Sequence, residues 1–261
     1  MQMHWDELTF LHWPVDQAVI QATLPPGLRA QTFGGSAWIS LVPFVMRITL
    51  PHAPVAPWLG RFPETNVRTY VTVDRRADER RGDPRLADPD GTDGPDGPDG
   101  PDGTDDPDGD ADPSEGIWFY SLDASRAAAV GFARASYRLP YIWSAMTVER
   151  ARDTIVYRCR RRTGAHATSE VAVRIGDRYG ADQLSGLDHF LTARWRLYSV
   201  IAGRTIAAPA RHDAWPLQRA ELLHLDDGLV VADGLPAPIG PPIVHFAESV
   251  SVRVGTPHRP S

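Results

Sequence analysis

The chain has 261 residues, 42% of them hydrophobic, and a formal net charge of −6, enough length and apolar content for one sizeable core. All 27 basic residues are arginine, which excludes any chemistry that needs a lysine amine, since a guanidinium stays protonated and delocalised. A coding bias toward Arg, Ala, Gly, Pro and Asp accounts for the absence better than function does; the chemical consequence is the same. The single cysteine, Cys159, excludes an internal disulfide and fits a reducing compartment, and within Y-R-C-R-R-R it reads as a small core residue. The N-terminus lacks a basic region followed by an apolar run, and no stretch approaches the roughly 18 apolar residues of a membrane span. The expected location is the cytoplasm, with no membrane partner.

In chain order, Pro14 to Ala22 predicts a short helix with Pro at its first turn, stopped by Pro25, Pro26 and Gly27. Leu28 to Phe33 and Ser36 to Arg47, around Gly34-Gly35, predict a hairpin. Phe62 to Val73, F-P-E-T-N-V-R-T-Y-V-T-V, is the most informative stretch. As a strand it places Glu64, Asn66, Arg68, Tyr70 and Thr72 on one face and Val67, Val71 and Val73 on the other. Such a polar face either lines a pocket or meets solvent.

Residues 76–115 hold 15 of the 33 acidic residues and 4 of the 27 arginines, so the remainder of the chain carries a net +5. From Asp88 to Pro113 the run is almost wholly Asp, Gly, Pro and Thr, with Ala111 its one aliphatic residue. It can bury nothing and is expected to be a disordered acidic insertion in a single domain spanning 1–261. The spacing of a calcium-binding loop is absent. The mildly basic remainder suits an anionic small molecule. No concentrated basic run with interleaved aromatics lies outside Arg158 to Arg162, so no nucleic-acid partner is expected.

Beyond the insertion, Ile117 to Leu122 predicts a strand, and Asp123 is placed to cap a helix running to about Ser136. Strands follow near Tyr141 to Glu149, Thr154 to Arg162, Thr168 to Ile175, Arg194 to Ile201, Leu217 to Leu225 and Val244 to Val254, with a helical turn at Asp188 to Thr192. The expectation is a mainly β (α+β) single domain, a curved or barrel-like antiparallel sheet with a few short helices. Glu248 sits in an apolar row of the last strand, either inward with a raised pKa or turned outward by a bulge. The histidines show no zinc-site spacing; His212-Asp213 and His12 are candidate pocket residues, with His12 reading rather as structural at a helix entrance, and there is no P-loop, nucleophile elbow or dinucleotide fingerprint. No cofactor and no metal are expected.

The ordered set H-W-P-V-D (12–16), L-P-P-G-L (24–28), A-W-I-S-L-V-P-F (37–44), F-P-E-T-N-V-R-T-Y-V (62–71), G-I-W-F-Y-S-L-D-A (116–124), L-P-Y (139–141), Y-R-C-R-R (157–161), F-L-T-A-R-W-R-L-Y (190–198) and W-P-L (215–217) resembles the bacterial DUF2071, or YqjF-like, family. The resemblance covers nearly the whole chain apart from the acidic tract. It implies a cone-like barrel of the acetoacetate decarboxylase type around a small-molecule pocket, and no settled function. Acetoacetate decarboxylase forms a Schiff base on a lysine that follows a proline, with a second lysine beside it. The matching stretch here is Pro140-Tyr141-Ile142, so both parts of that mechanism are missing. Glu64 falls where such decarboxylases carry a pocket glutamate.

Together these features predict a pocket for a small anionic ligand of the oxo- or hydroxy-acid kind, lined by Glu64, Asn66, Arg68, Tyr70, Ser121 and Tyr141. Arg68 requires a partner, either a ligand carboxylate or an internal carboxylate from Glu64 or Asp123. Whether there is turnover is open: a cofactor-independent lyase or hydrolase would use Glu64 and Tyr141, and a non-catalytic interaction protein would need no pocket. Oligomeric state is not legible.

Overall fold

The computed structural model describes residues 2–49, 60–73, 114–127, 138–180 and 182–259. The strands are β1 (Gln2–Val15), β2 (Leu28–Ala30), β3 (Ala37–Thr49), β4 (Arg61–Val73), β5 (Glu115–Ala124), β6 (Tyr141–Ala151), β7 (Thr154–Arg161), β8 (Thr168–Arg178), β9 (Arg196–Ile201), β10 (Arg204–His212), β11 (Leu217–Asp227) and β12 (Ile243–Val254). Among the described residues the short helices α1 (Gln17–Thr23), α2 (Gly186–Thr192) and α3 (Leu229–Ala232) join them. Among the described residues no helix is long and apolar enough to cross a membrane.

All the strands belong to one sheet, in the order β10-β9-β5-β6-β7-β8-β11-β12-β1-β3-β4-β2. Two further pairings, β5 with β4 and β10 with β12, close this sheet on itself twice. One closure gives a nine-stranded ring, β5-β6-β7-β8-β11-β12-β1-β3-β4; the other gives a seven-stranded ring, β5-β9-β10-β12-β1-β3-β4. Closure removes unpaired edges. The wall β12-β1-β3-β4-β5 is common to both rings, so its side chains alternate between two interiors. Phe10, Val42, Phe44, Phe62, Phe119 and Ala247 join the cluster of the seven-stranded ring. Leu11, Trp13, Ile39, Leu41, Val67 and Phe246 join that of the nine-stranded ring. Most pairings are antiparallel, while β5 runs parallel to its neighbours β6 and β9.

Several expected boundaries move. Pro14 ends β1 rather than opening a helix: Asp16 is the N-cap of α1, its side chain accepting from Ala18 N at 2.7 Å. Gly34 and Gly35, at φ of +62° and +83°, make the expected two-residue turn, with Phe33 N donating to Ser36 O at 2.9 Å. The strand before that turn does not pair with β3. Leu28–Ala30 instead lies along β4, Leu28 opposite Val73 and Ala30 opposite Val71. Asp123 is not a helix cap but a residue of β5, and the expected helix beyond it falls largely on 128–137, outside the described residues. β1 and β10 were not foreseen as strands.

The acidic tract also lies outside the described residues. The strands that flank it are already paired, Thr72 opposite Glu115, with Val73 N donating to Ser114 O at 3.2 Å. Loop length adds closure entropy only logarithmically. Replacing 88–113 by a short Gly-Asn linker is therefore expected to leave a single cooperative thermal transition within a few degrees of the parent; loss of soluble protein would show that the tract is structural.

Candidate functional site

β4 runs through the common wall in continuous register with β3, Ile39 opposite Thr69 through Arg47 opposite Arg61, so its period of two is kept throughout. Glu64, Asn66, Arg68 and Tyr70 all fall on the side of the seven-stranded ring, and every one is at most 5% exposed. The sequence expectation of a polar row on one face holds, and the solvent alternative does not. Thr72, half-buried at the end of the row, shares a hydrogen bond with Ser114 at 2.7 Å.

Tyr141 opens β6 opposite Leu122 of β5, and its hydroxyl donates to the Glu64 carboxylate at 3.2 Å. Burial pushes the Glu64 carboxyl up to about 8, against the opposing effect of the Tyr141 hydrogen bond, with the Asp123 carboxylate adding to the rise. Burial likewise pushes the Tyr141 phenol upward. Because Glu64 binds its proton more tightly when folded, its contribution to stability is complete below the unfolded carboxyl value and is lost as pH climbs from there to about 8. Glu64→Gln is expected to flatten that decline, which at its steepest amounts to about 1.4 kcal/mol per pH unit. Urea unfolding at a series of pH values between roughly 5 and 9 reads the slope; identical slopes in parent and variant would contradict the assignment.

Ser121, expected in the pocket, is on the opposite side of β5. A bulge between Val67 and Arg68 in the β4 pairing leaves Tyr120 unpaired, and Ser121 Oγ donates to Asp233 at 2.5 Å while accepting from Arg161 Nη2 at 2.8 Å. Asp123 belongs to the same network: Arg161 Nη2 lies 2.9 Å from Asp123 Oδ2 and 2.8 Å from Asp233 Oδ1, and Ser144 Oγ donates to Asp123 at 2.6 Å. Glu248 is turned outward, its row switching sides between Ala247 and Val250, and it pairs with Arg150 at 2.7 Å. Cys159 is buried, and burial pushes its thiol upward, as expected of a core residue.

Both internal carboxylates that sequence offered to Arg68 are thus engaged elsewhere. Among the described residues Arg68 forms no ion pair, its Nε has no hydrogen-bond partner, and its guanidinium lies over the Phe10 ring at 5.3 Å. Burial lowers its pKa, partly offset by the Tyr70 phenol, yet an arginine does not deprotonate in a protein. A second buried guanidinium, Arg194, was not foreseen. It precedes β9, contacts Glu115 through Nη1 at 3.3 Å, covers the Phe190 ring at 4.6 Å, and leaves Nε and Nη2 without partners. Arg68 and Arg194 together border a cavity of ≈ 20 Å³ walled by Ile117, Phe119 and Trp215. That is room for about one water, so a ligand of several atoms requires side chains to give way.

The remaining buried polar atoms without partners gather on the same side of the wall: Trp5 Nε1, His12 Nε2, Asn66 Oδ1 and His245 Nδ1, with only Gln31 Oε1 and Asp227 Oδ1 elsewhere among the described residues. A natural core satisfies nearly all such groups, and a concentration of exceptions in one interior marks a place for a polar ligand. Among the described residues no group of His, Cys, Asp and Glu is arranged to hold a metal ion.

The DUF2071 family model, described as an uncharacterized conserved protein, matches residues 2–82 and 108–251. The chain belongs to this family. The uncharacterized protein YqjF of Bacillus subtilis (strain 168) is 32% identical over 254 residues, covering 97% of this chain and 89% of its own length. Among solved structures, the enduracididine biosynthesis enzyme MppR complexed with pyruvate superposes with a TM-score of 0.61 at 11% identity, covering 100% of this chain and 90% of MppR. Acetoacetate decarboxylase from Legionella pneumophila superposes with a TM-score of 0.56 at 9% identity, covering 98% and 86%. This DUF2071 chain therefore has the acetoacetate decarboxylase-like fold that its motifs implied, and at these identities the likeness concerns fold alone.

Proposed function

We propose that this DUF2071 protein binds a small carboxylate inside the seven-stranded ring, with Arg68 as the principal contact and Glu64, Asn66, Tyr70 and Tyr141 around it. The observation that carries the reading is the fully buried Arg68 guanidinium with no carboxylate partner among the described residues and an unmet Nε–H. A buried cation without an anion is costly, and a carboxylate meets a guanidinium bidentately through charge-assisted hydrogen bonds. Arg194 supplies two further unmet donors at the same cavity. The pyruvate named with the MppR structure is a ligand of this size and charge.

Turnover, if present, would not pass through a Schiff base, because the sequence contains no lysine. A cofactor-independent lyase or hydrolase reading rests on Glu64: a carboxyl pushed up to about 8 and hydrogen-bonded to Tyr141 is suited to hold or release a proton near neutrality. Calorimetric titration with acetate, propionate and pyruvate beside their amides tests the binding reading. The carboxylates are expected to saturate one site and the amides to show no heat. Equal binding of acids and amides, or binding of neither, would overturn it.

A further inference from the structure

His12, Ser40 and Arg68 stand in one row across three neighbouring strands, His12 opposite Ser40 and Ser40 opposite Arg68. All three are buried on the side of the seven-stranded ring. Three short contacts link this row to Tyr70, His12 Nδ1 to Ser40 Oγ at 2.7 Å, Ser40 Oγ to Tyr70 Oη at 2.7 Å, and Tyr70 Oη to the Leu191 carbonyl at 2.8 Å, and a longer fourth sets His12 Nδ1 3.1 Å from Tyr70 Oη. Each short contact needs one hydrogen, and the chain ends on a carbonyl, which only accepts. Tyr70 must therefore donate to Leu191 O. Its oxygen then receives the Ser40 hydrogen, and Ser40 in turn receives the hydrogen of His12 Nδ1, which also faces Tyr70 Oη at 3.1 Å. The opposite arrangement would leave two lone pairs facing each other across 2.7 Å.

The Nδ1–H tautomer leaves Nε2 of a neutral His12 as a bare lone pair, and that atom has no partner. Burial, then the neighbouring His245 and Arg68, all hold the His12 pKa well below its usual value, so the ring is neutral. His245, whose ring lies 5.8 Å from that of His12, repeats the pattern: Nε2 is committed to Asp188 Oδ1 at 2.9 Å and Nδ1 is unpartnered. Phe10 is shared ground, with His12 stacked on its ring at 5.6 Å and Arg68 over it at 5.3 Å. This interior thus sets unmet N–H donors, on Arg68 and Arg194, beside unmet imidazole acceptors.

We propose that His12 Nε2 accepts a hydrogen bond from a hydroxyl of the bound molecule, so that the site selects a short-chain hydroxy carboxylate over the corresponding oxo or unsubstituted acid. The inference rests on the carboxylate reading above and adds the second half of the recognition. The carboxylate meets the guanidinium donors. The hydroxyl hydrogen meets the imidazole lone pair, which an oxo group, being an acceptor only, would repel. His12 and Arg68 are two strands apart, roughly 10 Å between backbones, a gap that two side chains and a ligand of a few atoms fill.

The test titrates the intact protein with lactate, 3-hydroxypropionate, pyruvate and propionate. At least one hydroxy acid is expected to bind tenfold or more tighter than both pyruvate and propionate. His12→Phe should remove that preference, read as the ratio of hydroxy-acid to propionate affinity measured in the variant itself. Carboxylates that bind without a hydroxyl preference, or a preference that survives in His12→Phe, would overturn the role of His12 while leaving the carboxylate site standing; failure of all four acids would overturn both. Should the variant not fold, nitrogen-15 NMR of the histidines in the parent decides: His12 is expected to show a protonated Nδ1 and a bare Nε2 throughout about pH 5 to 8, and a protonated Nε2 would overturn the inference.

Discussion

Arg161→Met is expected to destabilise the fold by about 3 to 5 kcal/mol, the usual consequence of removing one member of a buried ionic network. Arg161 is the cation between Asp123 and Asp233, with side chains 2%, 0% and 6% exposed respectively. Methionine fills similar space but leaves both carboxylates, and the Ser121 and Ser144 hydroxyls hydrogen-bonded to them, without their counter-charge. Chemical unfolding at pH 7 measures the loss, and a change below about 1 kcal/mol would show the network to be relaxed by water. The network also bears on the other interior: because Arg161 engages Asp123, that carboxylate is not available to Arg68 across the common wall.

Arg68→Met is expected to behave in the opposite way. With no internal anion stranded by the change, and with a buried charge replaced by an apolar side chain among Phe10, Ile117 and Phe119, thermal stability should be unchanged or raised. Carboxylate affinity should fall by about 10- to 100-fold or more, corresponding to loss of charge-assisted hydrogen bonds of about 1.5 to 3 kcal/mol. Parallel melting and titration curves separate the two effects. A variant that melts far below the parent, and recovers when Glu64→Gln is added, would mean that Glu64 and not a ligand is the counter-ion.

The contrast between these two arginines shows what could be read in the sequence. The row Glu64, Asn66, Arg68, Tyr70 was legible because β4 keeps an unbroken period of two, and Tyr141 was legible through the family motif around Pro140. Ser121 was misplaced because a bulge at Tyr120 shifts the β5 register, which no local pattern records. The fate of Asp123 depended on Arg161, 38 positions away. β1 was missed because it is buried on both faces: Leu11, His12 and Trp13 are all at most 1% exposed, so alternation disappears. β10, R-T-I-A-A-P-A-R-H, carries small residues that pack under larger neighbours and has little strand character of its own. Arg194 enters the candidate site only through ring closure, while His12 reaches it across the neighbouring strands β1, β3 and β4; neither juxtaposition leaves a mark in local spacing.

The central claim, that a ligand carboxylate supplies the missing partner of Arg68, is tested most directly by following the arginine Nε–H resonances in the intact protein during titration with the tightest-binding acid. The Arg68 signal is identified by its disappearance in Arg68→Met. Its proton is expected to move downfield in proportion to saturation, as an unmet donor acquires a charged acceptor. Saturable carboxylate binding that leaves the Arg68 Nε–H unmoved would contradict the account.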